Sequence, residues 1–549
     1  MSISFFSKPR SSTLRKKPSF LKAASIVASV SLLSKGLGAL RDWVILRSYG
    51  AALATDAYFT AVQLPSFSLI LLGGVGGPFH SAVVAVITKL IHEGSHGEKK
   101  AHDLANVVIT LTAFAFAALA VLTVLLAEPI TRMLLHGSHN ESLIRTATAQ
   151  LQTMAPVVFL GGLVGLALGL QNTYQHFFWP SLSPAAQSLV MIAALVLLPA
   201  DPTGQLLAWS TVAGSILQFA MQLPQLWQHD HFKKFSLKLR HVWPELRQMN
   251  HLLLPALGTT TLGQIAVLTD LVFAAMLPLG AWTAIVFANR LIQLPIGVMQ
   301  TAFLVPVFPR FTQAVAAGKP EQVVRDYKLG VNLLLLLSTP ILVILVLYGK
   351  TLVKMAFQHG AFDAENTHVV SQALIWLSFL MPVYFARDAM TRVFYAFHDA
   401  HTPLYITMQG IALKAVFNWL FIVELPKWFP NMIAALGLNG VSGICLGSVL
   451  ATAINLVALS WLSRRFIKGL GVAALLDNLW RLSLAALMMV VTIVLIQQRT
   501  MLWRFPEWIS VFTGSFLGCL VYGAAAWVLR IPEGQYLAQR LLQKSHSSP

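Results

Sequence analysis

The residues best placed to do chemistry in this chain are ionisable side chains that interrupt long apolar stretches. Lys35, Arg41, Asp42 and Arg47 lie in the first such stretch, Asp56 in the second, Asp270 in the seventh and Arg290 in the eighth. Arg387, Asp388 and Arg392 follow in the tenth, and Lys414 in the eleventh. A charge inside a bilayer is costly unless it faces a partner or a wet cavity, so each of these groups needs one or the other. Asp388 and Arg392 are four apart and can pair on one helix face. Lys35 and Asp42, seven apart, also share a face. Arg47 sits near a membrane edge, where a long cation can snorkel. Lys414 faces the same way as Asn418, which suits a buried structural contact. For Arg41 and Arg290 two readings stand: a structural ion pair with Asp42 or Asp56, or the binding of an anion. Arg387 is balanced between the same two. Guanidinium groups grip phosphate oxygens in a bidentate way, so the positive surplus suits a phosphate-bearing substrate. A cation exporter would need the opposite, an acidic cavity.

Enzyme motifs are missing. Gly349-Lys350-Thr351 looks like the end of a phosphate-binding loop, but Ile344 stands where its first glycine is needed. No HExxH zinc motif or GxSxG elbow occurs. The 16 histidines lack metal-ligand spacing, and Cys445 and Cys519 both fall within apolar runs, which argues against a disulfide framework. With no nucleotide site, any transport would be driven by an ion gradient, the membrane potential or substrate flux.

The elements that must position these groups are membrane helices. Of 549 residues 56% are apolar and only 11% charged, against about 25% charged in soluble domains. A soluble enzyme is therefore excluded, and the class is an all-α polytopic membrane protein. Segments of spanning length fall near 23–48, 55–90, 103–127, 148–172, 181–199, 204–226, 251–278, 283–314, 329–348, 368–396, 402–424, 439–463, 477–497 and 508–530, which makes fourteen expected transmembrane helices. The formal charge of +18 gathers in alternate loops, which points to membrane topology and away from nucleic acid. An inside N-terminus places 23 Lys and Arg on the inner face and seven on the outer, so both termini are expected in the cytoplasm. The basic N-terminus is not followed by a short apolar core and cleavage site, so no removed signal peptide is expected.

The chain also repeats itself. Gln63-Leu64-Pro65 recurs as Gln293-Leu294-Pro295, Gly50 maps onto Gly280, and MLLHG (133–137) recurs as MAFQHG (355–360). Met154-Ala155-Pro156 is echoed by Leu380-Met381-Pro382. Six helices per half is an even number, so the halves share orientation and a substrate is expected between them. The resulting division is a basic N-tail (1–22), an N-lobe of helices 1–6 (23–228), a cytoplasmic amphipathic linker (229–250), a C-lobe of helices 7–12 (251–463), helices 13–14 (464–530) and a C-tail (531–549). Gly73-Gly74-Val75-Gly76-Gly77-Pro78 interrupts helix 2 as a hinge, a lateral gate or a packing break.

The stretch Ser34-Lys35-Gly36-Leu37-Gly38-Ala39-Leu40-Arg41-Asp42, then Tyr49-Gly50, Ala54-Thr55-Asp56-Ala57-Tyr58-Phe59 and Leu64-Pro65, resembles the opening of the MurJ/MviN family of lipid II flippases. Phe287-Ala288-Asn289-Arg290-Leu291 with Leu294-Pro295-Ile296-Gly297-Val298 resembles that family's helix 8. The resemblance covers nearly the whole chain and extends to the multidrug/oligosaccharidyl-lipid/polysaccharide exporter superfamily. It implies a monomeric transporter that moves the undecaprenyl-pyrophosphate-linked peptidoglycan precursor, lipid II, from the cytoplasmic to the periplasmic leaflet, in contact with membrane lipids. A central cationic cavity would hold the headgroup, with the lipid tail in a groove beside helices 13 and 14.

By position, Arg41, Asp56 and Arg290 match residues important in the family, with Asp56 expected to orient one of the arginines or to take part in an outer gate, and Lys35 stands where arginine is usual. After Leu64-Pro65 the family commonly has an arginine pair, and here those positions read Leu69 and Ile70. The resemblance therefore leaves one headgroup contact either missing, replaced, or supplied by Arg387 or Lys414. The pattern is similar to the cyanobacterial branch, which implies an inner membrane. Some members bind sodium between helices 7 and 11, and the resemblance offers Asp270 and Asp399 as ligands. The rival readings are an exporter of another lipid-linked glycan or of drugs, a non-transporting scaffold, and a membrane glycosyltransferase.

Overall fold

The computed structural model describes residues 20–73, 78–228, 239–301, 305–431, 437–438, 440–467 and 473–531. The described residues are almost wholly helical. The N-terminal half comprises α1 (Phe20–Tyr49), α2 (Leu53–Ala61), α3 (Gln63–Gly73), α4 (Pro78–His92), α5 (Ser95–Leu125), α6 (Ala127–Leu134), α7 (Glu141–Thr173), α8 (Phe178–Leu197), α9 (Gln205–Ala220) and α10 (Leu223–Gln228). The second half follows with α11 (Trp243–Ala274), α12 (Ala281–Met299), α13 (Val305–Ala316), α14 (Pro320–Phe357), α15 (Ala364–Ser378), α16 (Leu380–Ala396), α17 (His401–Trp419), α18 (Leu425–Trp428) and α19 (Val441–Leu462). A hairpin of α20 (Ala473–Leu502) and α21 (Glu507–Val528) ends the described chain.

Eleven helices among the described residues are long and apolar enough to cross a membrane. The other three expected crossings coincide with the charged α1, the segmented α2–α4, and α11. Trp243 to Asn250, expected in the linker, form the first turns of α11; residues 229–238 of that linker lie outside the described residues, as do 74–77 of the glycine break.

Local signals set the helix ends. Asn140 caps α7 by accepting from the Leu143 amide at 3.1 Å, and Asp363 caps α15 by accepting from Asn366 at 2.8 Å. The repeat is visible in the backbone: Gly50 and Gly280 share positive φ (65° and 91°), as do Gly137 and Gly360 (90° and 66°). These are left-handed turns that glycine adopts without penalty.

Among lipid tails, close packing rather than water exclusion holds helices together. In the N-lobe α7 lies at the centre, touching α3, α5 and α9. An apolar core runs from Leu46, Phe59 and Met154 of that lobe into Phe287, Phe385 and Phe394 of the other. The α20–α21 hairpin is fastened to α14: Met489, Ile493 and Tyr522 pack with Tyr348, and the hydroxyls of Tyr348 and Tyr522 donate to the Ser510 and Leu336 carbonyls at 2.7 and 3.0 Å.

Candidate functional site

In the last third of α1, Arg41 turns back on its neighbour, its Nε and Nη2 donating to Asp42 Oδ1 at 3.0 and 2.8 Å. The other carboxylate oxygen, Oδ2, lies 2.5 Å from Arg290 Nη1 on α12. One carboxylate from the N-lobe therefore holds two guanidinium groups, one from each lobe. Asp42 is 12% exposed and Arg290 38%, so the cluster opens outward through its cations. Phe59 and Phe287 stack beneath Arg290, with ring centroids 5.1 and 5.5 Å from its Cζ, a cation–π support that fixes the fork. Two positive charges against one negative leave a net cation. Asp42 is the positioning residue that reading by type placed only as an ion-pair partner; its adjacency to Arg41 was the available signal.

Lys35 is exposed on α1, about 10 Å further along the axis from Asp42 at 1.5 Å per residue. Arg387 projects from α16 over Tyr384, 4.9 Å from the ring centroid, and its buried Nε has no hydrogen-bond partner among the described residues. It lines a cavity of about 320 Å³ together with Asn289, Tyr384, Asp270 and Lys414. Asn289 precedes Arg290 on α12, so that helix carries the Arg–Asp–Arg cluster on one side and the cavity on another. Leu69, where the resemblance expects arginine, lies beside Gly161 of α7. Asp388 and Arg392 pair at 3.2 Å, as their spacing predicts.

Asp56 does something other than orient an arginine. Its Oδ2 accepts from the Gly280 amide at 2.6 Å, and its Oδ1 from the Thr283 amide and hydroxyl at 2.8 and 2.6 Å. It is 4% exposed, so the carboxylate of one lobe caps the first turn of α12 in the other. Around this cap the lobes meet through backbone: Ala361 N donates to Arg47 O at 2.9 Å, Ala51 N to Asn366 Oδ1 at 3.1 Å and Trp43 Nε1 to Ala356 O at 2.7 Å. Glycine is required where they touch, because a Cβ on Gly280 or Gly360 would strike the Ala51 or Arg47 carbonyl. The end where α1 finishes and α2 begins is thus closed.

Beside this end Asp201 caps α9. Its oxygens accept from the Gln205 and Leu206 amides at 2.8 and 3.0 Å, from Thr203 Oγ1 at 2.6 Å and from Tyr49 at 3.0 Å. Partial burial pushes its pKa up, but the bonds from Thr203, the two amides and Tyr49 outweigh it and hold the group at about 2.

Asp270 and Asp399 do not form one ion site. Lys414 Nζ lies 2.6 Å from Asp270 Oδ2 and donates to the Ala266 carbonyl at 3.1 Å, while Asn418 Nδ2 donates to Asp270 Oδ1 at 3.1 Å. Asp399 precedes α17, where it accepts from the Thr402 amide at 3.0 Å and pairs with Arg465. Fifteen residues of mostly helical rise, roughly 20 Å, separate Asp399 from Lys414. Hard cations take oxygen ligands, whereas both Asp270 oxygens meet N–H donors, so the residues present do not fit sodium. Among the described residues no group of three or more His, Cys, Asp or Glu could hold a metal.

Comparison with known proteins bears on this arrangement. A family model described as "Lipid II flippase MurJ" matches residues 46–512. A probable lipid II flippase MurJ from Synechocystis sp. is 29% identical over 549 residues, covering 96% of this chain and 98% of that protein. The lipid II flippase MurJ of Burkholderia cenocepacia is 26% identical over 436 residues, covering 78% and 82%. Among solved structures, the fold is similar to a lipid II flippase MurJ in an inward closed conformation, with TM-score 0.73, 20% identity and coverage of 92% and 98%. It is also similar to an inward-facing multidrug resistance transporter of the MATE family, with TM-score 0.59, 13% identity and coverage of 83% and 99%.

Proposed function

The chain belongs to the MurJ lipid II flippase family, a family of membrane transporters, and from that premise we propose that it moves lipid II from the cytoplasmic to the periplasmic leaflet of an inner membrane. It works as a monomer with both termini cytoplasmic. The observation that carries this reading is the Arg41–Asp42–Arg290 cluster, a net cation built from both lobes and supported by two aromatic rings. Pyrophosphate oxygens bind the guanidinium N–H groups not committed to Asp42, since charge-assisted, forked contacts are the strongest available to a phosphate group. Lys35 assists as a mobile point charge, and Arg387, with its unpartnered Nε, takes the further headgroup contact that Leu69 and Ile70 cannot.

The two lobes alternate. With the end around Asp56 and Gly280 closed, the headgroup enters from the opposite, cytoplasmic side. Opening of the outer end breaks the Asp56 cap and the Arg41–Arg290 bridge together, so release is coupled to the opening of one half of the phosphate site. The sugar–peptide part crosses in the cavity while the lipid tail stays in hydrocarbon. The driving force is the membrane potential or substrate flux.

The test is replacement of the chromosomal copy by Arg290→Ala, followed by assay of lipid II on each membrane face. At normal protein abundance the variant accumulates lipid II on the cytoplasmic side; full transport would sink the assignment. The apolar residues Leu69 and Ile70 at the arginine-pair positions favour one second reading, export of a different lipid-linked glycan. Competition between lipid II and other polyprenyl pyrophosphates in proteoliposomes decides between them.

A further inference from the structure

We propose that Lys414 is a tethered cation, occupying beside Asp270 the place of a free alkali ion, so that the conformational cycle of this chain runs without sodium. The ammonium lies 2.6 Å from Asp270 Oδ2 and donates to the main-chain carbonyl of Ala266 at 3.1 Å. Those two partners, a carboxylate and a helix carbonyl, are oxygen donors of the kind a hard cation selects. Asn418 closes the other side of the carboxylate, its Nδ2 donating to Oδ1 at 3.1 Å. Both Asp270 and Lys414 are 14% exposed, so the carboxylate needs a positive partner at all times.

Lys414 supplies that partner from α17 to α11 within one chain. A sodium ion entering the same place would meet an ammonium of like charge and an amide N–H where it needs oxygens. A cation held by four methylenes cannot be left on the other side of the membrane, so turnover draws nothing from a sodium gradient. The pair still joins α11 to α17, the structural task a bound ion would perform, and as a neutral pair it leaves the net charge of that cavity wall to Arg387.

Ion binding can be read without knowing the substrate, so the test follows sodium rather than lipid transport. The full-length protein is purified in detergent, and its melting midpoint is followed as sodium chloride replaces choline chloride at constant ionic strength, with potassium chloride as comparison. The wild type is expected to show no sodium-specific shift. Lys414→Ala, which vacates the ammonium but keeps Asp270, is expected to gain a saturable, sodium-selective rise of a few degrees. The double variant Asp270→Asn/Lys414→Gln, with both charges gone, is expected to lose that rise.

Recovery of Lys414→Ala only when sodium is present throughout purification shows the same dependence. A folded Lys414→Ala indifferent to sodium overturns the proposal. Failure to recover it in either medium leaves the decision to the wild type. There a saturable sodium-specific rise, removed in the double variant, overturns the proposal, and indifference supports it.

Discussion

Truncating Asp56 is the sharpest perturbation of the lobe-to-lobe closure. In Asp56→Ala the Gly280 amide, the Thr283 amide and the Thr283 hydroxyl lose their acceptor together. Hydrogen bonds to a charged group are worth about 1.5–3 kcal/mol each. The three share one carboxylate, however, and water reaching the freed first turn of α12 returns part of the loss. A net of about 3 kcal/mol, or the value of roughly two such bonds, is the reasonable figure. Because the cap joins opposite lobes, that energy belongs to the closed end and not to either lobe alone. It therefore shifts the closed-to-open ratio by on the order of 100-fold. Spin labels at Ala200→Cys and Glu365→Cys, both exposed positions on opposite lobes near this end, report the separation in a Cys519→Ser background that removes the exposed native thiol. The ratio of longer-distance to shorter-distance populations should rise by on the order of 100-fold in Asp56→Ala over the parent. An unchanged distance distribution in a folded variant would refute the assignment of Asp56 as an inter-lobe cap.

Other consequences are as specific. Asp42→Asn removes the charge that holds Arg41 and Arg290 in register, so transport in proteoliposomes should fall by about tenfold or more at unchanged protein abundance, the equivalent of ~1.4 kcal/mol of positioning. Gly360→Ala forces an L residue into φ 66° with its Cβ against the Arg47 carbonyl; it should cost about 1–2 kcal/mol from the backbone alone, read as a lowered melting midpoint. Gly36→Ala, whose Cβ meets nothing within 4 Å, should be neutral or stabilising in the same assay. Asp201 is held near 2, so its capping contribution is complete above about pH 4 and is lost as pH falls toward 2. Asp201→Asn should therefore lower stability by about 1 kcal/mol at pH 6, the linkage of a depressed carboxylate discounted for solvent screening, with the gap to wild type closing as both are acidified.

Much of the architecture was legible from pattern. Bilayer thickness imposes a length on every apolar run, so each expected crossing overlaps described helix, and eleven of those helices are long and apolar enough to span. The repeat was carried by residues with a backbone reason to recur: Gly50 and Gly280 both turn the chain at positive φ into the helix that follows. Ionisable residues in apolar runs did mark the cluster, and Arg41 with Arg290 converge as their type suggests. For Arg290 the partner was a choice between Asp42 and Asp56 that spacing could not make, because both candidates lie on the N-lobe side of a contact made more than two hundred residues away. Asp56 caps a helix separated from it by 224 residues, and no local signal names such a partner. Asp270 matched an acidic position by resemblance, yet its surroundings are decided by Lys414 and Asn418, one turn apart on α17. A motif compares single positions, whereas the chemistry of a carboxylate belongs to everything within hydrogen-bond reach.

The cap on α12 also sets an order of events in the making of the protein. Asp56 and Gly280 are 224 residues apart, and ribosomes add about 5–20 residues per second. The N-lobe therefore waits roughly 10–45 s after its own acidic residue has been synthesised before the amides that donate to it exist. For that interval the future seam between the lobes is an unfinished edge with a bare carboxylate, and a chain broken off before α12 keeps that edge permanently. The same contact that seals the finished transporter thus distinguishes a completed chain from a half-made one.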